Sequence, residues 1–334
     1  MLSLTKKPTL KTISRISGLA VPTVSRALND APDIGAETKR LIRKIAAEIG
    51  YVPNRAGVRL RTGRTNVISL VMSTEHDMMN HTARLIASVA GGLRNTPYHL
   101  IVTPYFPDQD PMVPVRYIVE TGSADAIIMN QIEPQDPRVA YLMERGFPFA
   151  THGRTDWADQ HPYFDFDNHA FGSIAAKRLT GRGRGNIYVV APPQTQAYAR
   201  HLVAGVREAA KTSGAQVVIA EGVTSDSPSR DVVDHVIARL QADPSIDAIL
   251  TASTSSAMAA VAAIEARGRT VGDTIDVFSK EAVPFLRLFR KDILTVSEEV
   301  GTAGAFLAKA AMQAIRQPDA PPLQGLEVPS DEAS

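Results

Sequence analysis

The sequence predicts a short all-α segment at the N-terminus followed by a two-lobed α/β body. Three observations carry that prediction: short amphipathic helical patterns over the first sixty residues, βαβ alternation from residue 66 onward, and a charge balance that reverses between the two regions. Net charge is only +1, yet residues 1–64 hold 13 Lys/Arg against 4 Asp/Glu, whereas the remainder holds 23 against 31. A basic head suits a polyanion, and an acidic body does not share that task. Random clustering of solvated charge is the plainer alternative until the motifs are read.

Taken in order, Thr9 can cap a helix over Leu10–Ser17, where Leu10, Ile13 and Ile16 fall at helical spacing. Gly18-Leu19-Ala20 is a tight turn. A second helix follows over Val21–Leu28, with Pro22 tolerated in its first turn, where no intrahelical donor is lost. Residues 29–35 are a polar loop. A third helix runs over 36–49, its stripe made by Leu41, Ile42, Ile45 and Ile49, and Gly50 ends it.

From residue 66 short apolar runs predict strands at 66–72, 99–105, 124–130, 147–152, 186–191, 215–220, 247–252, 275–278 and 293–296. Amphipathic stretches at 82–93, 197–212, 231–241, 255–267 and 301–315 lie between or after them. This alternation predicts parallel sheets covered by helices on both faces. So many strands divide comfortably into two sheets, hence two lobes, with a ligand between them at the strand C-terminal ends. The tail from Gln317 reads as loop plus a short strand.

The chain has no cysteine, so neither a disulfide framework nor a thiolate metal site is available. Its start lacks the apolar core of a signal peptide, and no apolar run approaches the length of a membrane span. A soluble cytoplasmic protein is the expectation, with no membrane partner, no cofactor and no metal.

Within residues 9–29 a helix closes at a glycine turn. The next helix turns Val24, Ala27 and Leu28 inward and presents polar and basic side chains outward: the grammar of a helix-turn-helix. Such a helix can enter a major groove, where Arg26 reads guanine and Val21 touches a thymine methyl, while Thr23 and Ser25 position phosphates. Many three-helix folds share the pattern, and Arg26 as an ordinary surface charge is the alternative.

More specific are three segments in order: Thr23-Val24-Ser25-Arg26-Ala27-Leu28-Asn29, then Thr38-Lys39-Arg40, then Gly50-Tyr51-Val52-Pro53-Asn54-Arg55-Ala56. Together they resemble the headpiece of the LacI/GalR family of transcriptional regulators over residues 9–62, and a looser match continues through a periplasmic-binding-protein-like core. The resemblance implies an all-α helix-turn-helix headpiece (1–53), a hinge helix (54–64) and an α/β two-lobed sensor domain (65–330). Lobe one would take about 65–162 and 293–318, and lobe two about 163–292 and 319–330.

It further implies that Val21 and Pro22 form the main base-specificity pair beside Arg26. Residues 54–60 would match a hinge helix that folds on DNA, with Leu60 wedged into the minor groove. The DNA-binding set is then Thr9, Val21, Pro22, Thr23, Ser25, Arg26, Asn29, Tyr51, Asn54, Arg55, Gly57 and Leu60. Alternatives stay open: Leu60 as plain linker, Tyr51 as a brace for the headpiece core. Two departures stand out, Ala20 in place of a serine cap and Gly57 in place of a hinge alanine; the second costs helix stability by about 1 kcal/mol.

In the body, Phe164-Asp165-Phe166-Asp167-Asn168 followed by Gly172 is similar to the family's Asp-Asn cleft segment, whose carboxylate and amide suit sugar hydroxyls. Tyr198, Arg200 and His201 ahead of Gly205-Val206 match an effector-binding helix start, but Leu202 stands where the family has arginine. Thr254 replaces a common aspartate, and Val277–Glu281 replaces a Gly-Phe-Asp-Asp stretch, so no effector is named. The candidate effector set is Met78, Arg154, Asp167, Asn168, Tyr198, His201, Thr254 and Lys280. Arg154 as an inter-lobe salt bridge, Met78 as core and His201 as a surface histidine are the alternatives.

The Gly181–Gly185 run precedes a strand rather than opening a helix, so it is a basic loop and no phosphate cradle. No His-Glu-x-x-His or Gly-x-Ser-x-Gly appears. Asp165 and Asp167 share one side of an extended segment, and a binding cleft needs them as much as acid–base work does. The expectation is no enzyme. It is a homodimeric repressor on palindromic double-stranded operator DNA, modulated by a sugar or related polyol bound between the lobes. Ligand-relieved repression is the commoner family logic, and co-repression is the other. A sugar-binding transport protein of similar core is the rival, disfavoured by the basic headpiece.

Overall fold

α1 (Leu10–Ser17), α2 (Val21–Leu28) and α3 (Ala36–Glu48) form where the pattern places them. They belong to a computed structural model that describes residues 7–52, 59, 63–74 and 79–330. The chain divides into two compact units between Thr65 and Asn66. In the first, Thr12 Oγ1 accepts from the Thr9 amide at 3.1 Å and opens α1. Gly18 closes that helix at φ 73°, a left-handed conformation that glycine adopts without a Cβ penalty. The Ser14 hydroxyl donates to the Leu19 carbonyl at 2.6 Å and holds the turn. Ala20 gives α2 no side-chain cap, and Pro22 in the first turn forfeits no helical donor.

Ile13, Val24, Ala27, Ile42, Ile45 and Ala46 make a small closed core, with Leu10, Leu28, Ile49 and Tyr51 packed against it. Ile16 and Leu41, read as part of the buried stripes, are instead 52% and 47% exposed. Helices of two or three turns around so small a core bury only a narrow line of each.

The second unit carries two parallel sheets. The first runs β11-β5-β4-β3-β1-β2. It is built from β1 (Val67–Ser73), β2 (His99–Tyr105), β3 (Ala126–Met129), β4 (Phe149–His152), β5 (Tyr163–Phe166) and β11 (Gln324–Glu327). The second runs β10-β9-β8-β6-β7, from β6 (Asn186–Val190), β7 (Gln216–Ile219), β8 (Ala248–Thr251), β9 (Asp276–Glu281) and β10 (Leu294–Ser297). Helices cover both faces. α4 (Met79–Gly92), α5 (Met112–Thr121) and α6 (Pro137–Glu144) follow strands of the first sheet. α7 (Asn168–Gly181), α8 (Ala197–Ser213), α9 (Ser229–Ala242) and α10 (Thr254–Ala266) serve the second, with short α11 (Phe285–Phe289). α12 (Val300–Arg316) returns to the first lobe, where its Leu307 and Ala311 share a core with Leu70 and Phe164.

The lobe limits need correction. Residues 163–166, expected in lobe two, extend the first sheet instead, because Tyr163 and Phe164 register with Thr151 and His152. Residues 294–297, expected in lobe one, pair with β9 of the second sheet. The tail at 324–327 pairs with β5 and so completes the first sheet, not the second lobe. The chain therefore crosses between lobes at Asp167 and again at Glu298–Glu299. Periodicity marks strands but not their neighbours, which backbone pairing alone decides.

α7 and α8 pack closely at two glycines. A Cβ at Gly172 would collide with the Leu202 carbonyl, and one at Gly205 with the His169 carbonyl. The Gly181–Gly185 loop ties its arginines inward: Arg182 and Arg184 both donate to the buried Asp276 carboxylate, at 2.8 and 2.7 Å. Among the described residues no helix is long and apolar enough to cross a membrane.

Candidate functional site

α2 presents one face outward. Pro22 and Arg26 are exposed with Asn29 just beyond, Val21, Thr23 and Ser25 are half-buried, and Val24 and Ala27 face the core. Polar and basic groups therefore project from a rod anchored by two apolar contacts, as groove reading requires. Arg26 forms an ion pair with Asp33, and the Asn29 amide donates back to the Ser25 carbonyl. Tyr51 lies half-buried against the headpiece core, and burial raises its hydroxyl above the usual value. That position favours the bracing role. Thr9 opens α1 with its side chain exposed. Asn54, Arg55, Gly57 and Leu60 lie outside the described residues.

In the second unit, the strand C-terminal ends of both sheets enclose a cavity of about 330 Å³. Parallel sheets leave their crevices at this end, so loops after different strands converge there. The first sheet contributes Asn130 and Gln131 after β3, His152 and Gly153 at β4, and Asp165 and Phe166 at β5. His81 comes from α4. The second lobe contributes Asn168, Tyr198, Ser225, Asp226, Ser253, Thr254, Ser255 and Lys280, and Glu298 stands at the crossover.

A polar cluster forms one wall. Lys280 Nζ lies 2.9 Å from Glu298 Oε2 and 3.2 Å from Asn168 Oδ1, and it faces the Phe166 and Tyr198 rings at 4.9 and 5.7 Å. The other oxygen of Glu298 is 3.3 Å from His81 Nε2. Burial alone would push Glu298 up; the Lys280 ammonium and His81 outweigh it and hold the carboxyl well below its usual range. His152, whose ring centre is 5.2 Å from that of His81, is pushed down to about 3, chiefly by burial. Burial takes Asp165 the other way, up to about 6, although Arg154 donates to it at 2.7 Å.

Asn130 stands apart. It is 2% exposed, lines the cavity, and neither its amide nitrogen nor its oxygen has a hydrogen-bond partner among the described residues. The loop behind it is fixed by a buried pair. Arg138 donates to the Asp136 carboxylate at 2.7 Å and to the Asn130 and Gln131 carbonyls at 3.2 and 2.9 Å.

Of the expected effector residues, Asn168, Tyr198, Thr254 and Lys280 line the cavity. Three do not. Arg154 is spent on Asp165 within lobe one, so it is neither a cavity lining nor an inter-lobe bridge. Asp167 caps α7 by accepting from the Ala170 amide at 3.0 Å. His201 sits a full turn into α8, with Nδ1 buried and without a hydrogen-bond partner among the described residues. Met78 lies outside the described residues. Asp165, read with Asp167 as a cleft carboxylate, lines the cavity, whereas His81, His152, Asn130 and Glu298 were not among the expected lining groups. A signal existed for Asn130 and His152, which end predicted strands. None existed for His81 or Glu298, which reach the wall only through the fold.

Comparison with known proteins agrees with both halves. Residues 9–54 match the family model for bacterial regulatory proteins of the lacI family, and residues 116–321 match the periplasmic binding protein domain. The HTH-type transcriptional regulator AglR of Rhizobium meliloti is 29% identical over 309 residues, covering 90% of this chain and 86% of AglR. Among solved structures, the transcriptional regulator CelR in complex with cellobiose aligns with TM-score 0.71 and 22% identity, covering 97% of this chain and 98% of that one. The lac repressor dimer bound to operator and an anti-inducer aligns with TM-score 0.83 and 18% identity over 97% of each chain. With a reading helix in one unit and a two-lobed binding cavity in the other, the chain belongs to the lacI family of bacterial regulatory proteins: it is a DNA-binding transcriptional regulator with a periplasmic-binding-protein-like sensor, and not an enzyme.

Proposed function

We propose that this regulator is a dimeric, cytoplasmic repressor whose operator affinity is set by a sugar or related polyol bound between its lobes. The observation that carries the reading is Asn130. A buried carboxamide with no partner is costly, and one facing a cavity is satisfied by a ligand that both donates and accepts, as a hydroxyl does. Ser225, Ser253, Ser255 and Asn168 surround the same space, and the Phe166 and Tyr198 rings offer apolar faces to a sugar ring. CelR, a relative with the same fold, is known in complex with cellobiose.

Bound ligand alters operator affinity only through its different affinity for the open and closed lobes. The crossovers at 167 and 298 are the segments that such closure bends. On the DNA side, Val21, Pro22 and Arg26 read bases, while Thr9, Thr23, Ser25 and Asn29 position phosphates. Leu60 enters the minor groove, as the family resemblance implies. Exposed apolar side chains on the edge strand β2 (Ile101, Val102), on α5 (Val113, Tyr117) and on α11 (Phe285, Leu288, Phe289) support pairing with a second copy through the body.

The test is a thermal-shift screen across mono- and disaccharides, followed by gel shifts with a palindromic operator. A ligand present at about 100 times its Kd stabilises by about 2.7 kcal/mol. It should also change operator affinity, and Asn130→Leu should abolish both effects. A panel with no stabilising sugar, or a stabilising sugar unaffected by Asn130→Leu, would sink the proposal.

A further inference from the structure

Three metal-ligating side chains, far apart in sequence, meet in the cavity wall. One nitrogen each of His81 and His152 and one carboxylate oxygen of Glu298 lie within 4.8 Å of one another. We propose that this trio binds a divalent transition-metal ion of the zinc class, with the remaining coordination positions open to an oxygen-rich cavity ligand. Only that last clause rests on the sugar reading; the ion site stands without it.

The donor set selects the metal. Two imidazoles and a carboxylate favour zinc, cobalt or nickel over magnesium or calcium, which prefer all-oxygen shells. Lys280 does not compete for the same atom: it holds Oε2 of Glu298, while Oε1 faces His81. The contact between Oε1 and His81 Nε2, at 3.3 Å, is long for a charge-assisted hydrogen bond. Nδ1 of the same ring is buried with no partner among the described residues, so the imidazole is poorly satisfied as it stands.

Three protein donors leave a tetrahedral ion one open position, and all three side chains line the cavity. Zinc with bonds of about 2.0–2.1 Å sets its donors about 3.3 Å apart, the spacing that His81 Nε2 and Glu298 Oε1 already have. His81 and His152 belong to lobe one, and Glu298 stands where the chain crosses from lobe two. An ion held by all three ties lobe one to that crossover, and so becomes a second input to the lobe angle that the effector also sets.

The full-length protein, stripped of metal, is titrated with Zn²⁺, Co²⁺ and Mg²⁺ by calorimetry and visible absorption, without sugar or DNA. The expected result is one Zn²⁺ per chain, bound about a thousandfold more tightly than Mg²⁺. His81→Asn and His152→Asn should each weaken Zn²⁺ binding by about tenfold or more. Lys280→Met should leave it as strong or stronger. Nitrogen NMR of the wild-type protein guards against misfolded variants, because Zn²⁺ should shift the imidazole signals of His81 and His152 and of no other histidine. Absence of stoichiometric binding, binding indifferent to both substitutions, or shifts at other histidines would overturn the site. Zinc binding that persists while every sugar fails would remove only the oxygen-rich ligand.

Discussion

Arg26 on the exposed face of α2 is held by Asp33, a surface pair that would have to break for the proposed base contact to form. Such an exposed pair is worth little, so releasing it costs DNA binding little. Arg26→Ala should lower discrimination at one operator position by about 1–3 kcal/mol, read by competition gel shifts against single-base variants. Asp33→Asn should instead tighten binding to all sequences and steepen its salt dependence.

Asp165 makes a pH prediction of definite sign. Its carboxyl is raised from the ordinary 3.8 to about 6, mainly by burial, so the folded protein holds the proton more tightly than the unfolded chain does. The contribution to stability is fully present below about pH 4 and is lost as pH rises through about 6. Asp165→Asn should flatten that part of the profile of Tm against pH. An unchanged slope between pH 4 and 7 would show that another group titrates there.

At the scale of elements, the loop between β3 and α6 is the instructive case. Arg138 and Asp136, 3% and 0% exposed, bind each other and fix the carbonyls of Asn130 and Gln131. Arg138→Met leaves a buried carboxylate without its cation and should destabilise by about 3–5 kcal/mol, whereas the double substitution with Asp136→Leu should recover much of the loss. Chemical denaturation of the three variants measures the cycle. Where α7 crosses α8, Gly205→Ala forces the helices apart and should lower Tm measurably, because the obstacle is backbone and cannot rotate away.

Element identity was largely legible in the sequence. The three headpiece helices, the parallel sheets and five long body helices follow from period and capping residues, but α7 (Asn168–Gly181) does not. Helices α5 and α6 went unread, because their apolar positions are interrupted by Pro114 and Arg138 and the pattern over so few turns is ambiguous. β5 was recognisable as extended, but its sheet was not.

For the whole molecule, the sequence by itself determined the class: a basic helix-turn-helix head, an α/β body with paired lobes, and a family motif that follows the chain through residue 62. These are local properties, written in spacing, turn residues and charge, and they survive without knowledge of what packs against what. Tertiary structure alone decided which strands neighbour one another, where the chain crosses between lobes, and which polar groups share the cavity. Arg154 and Asp167 looked like ligand contacts, yet one is neutralised by a neighbouring carboxylate and the other closes a helix end. His81 and Glu298, 217 residues apart, meet because β10 ends opposite the start of α4. A site of this kind is a coincidence of chain ends in space, fixed by backbone pairing and burial, and no one-dimensional pattern encodes it.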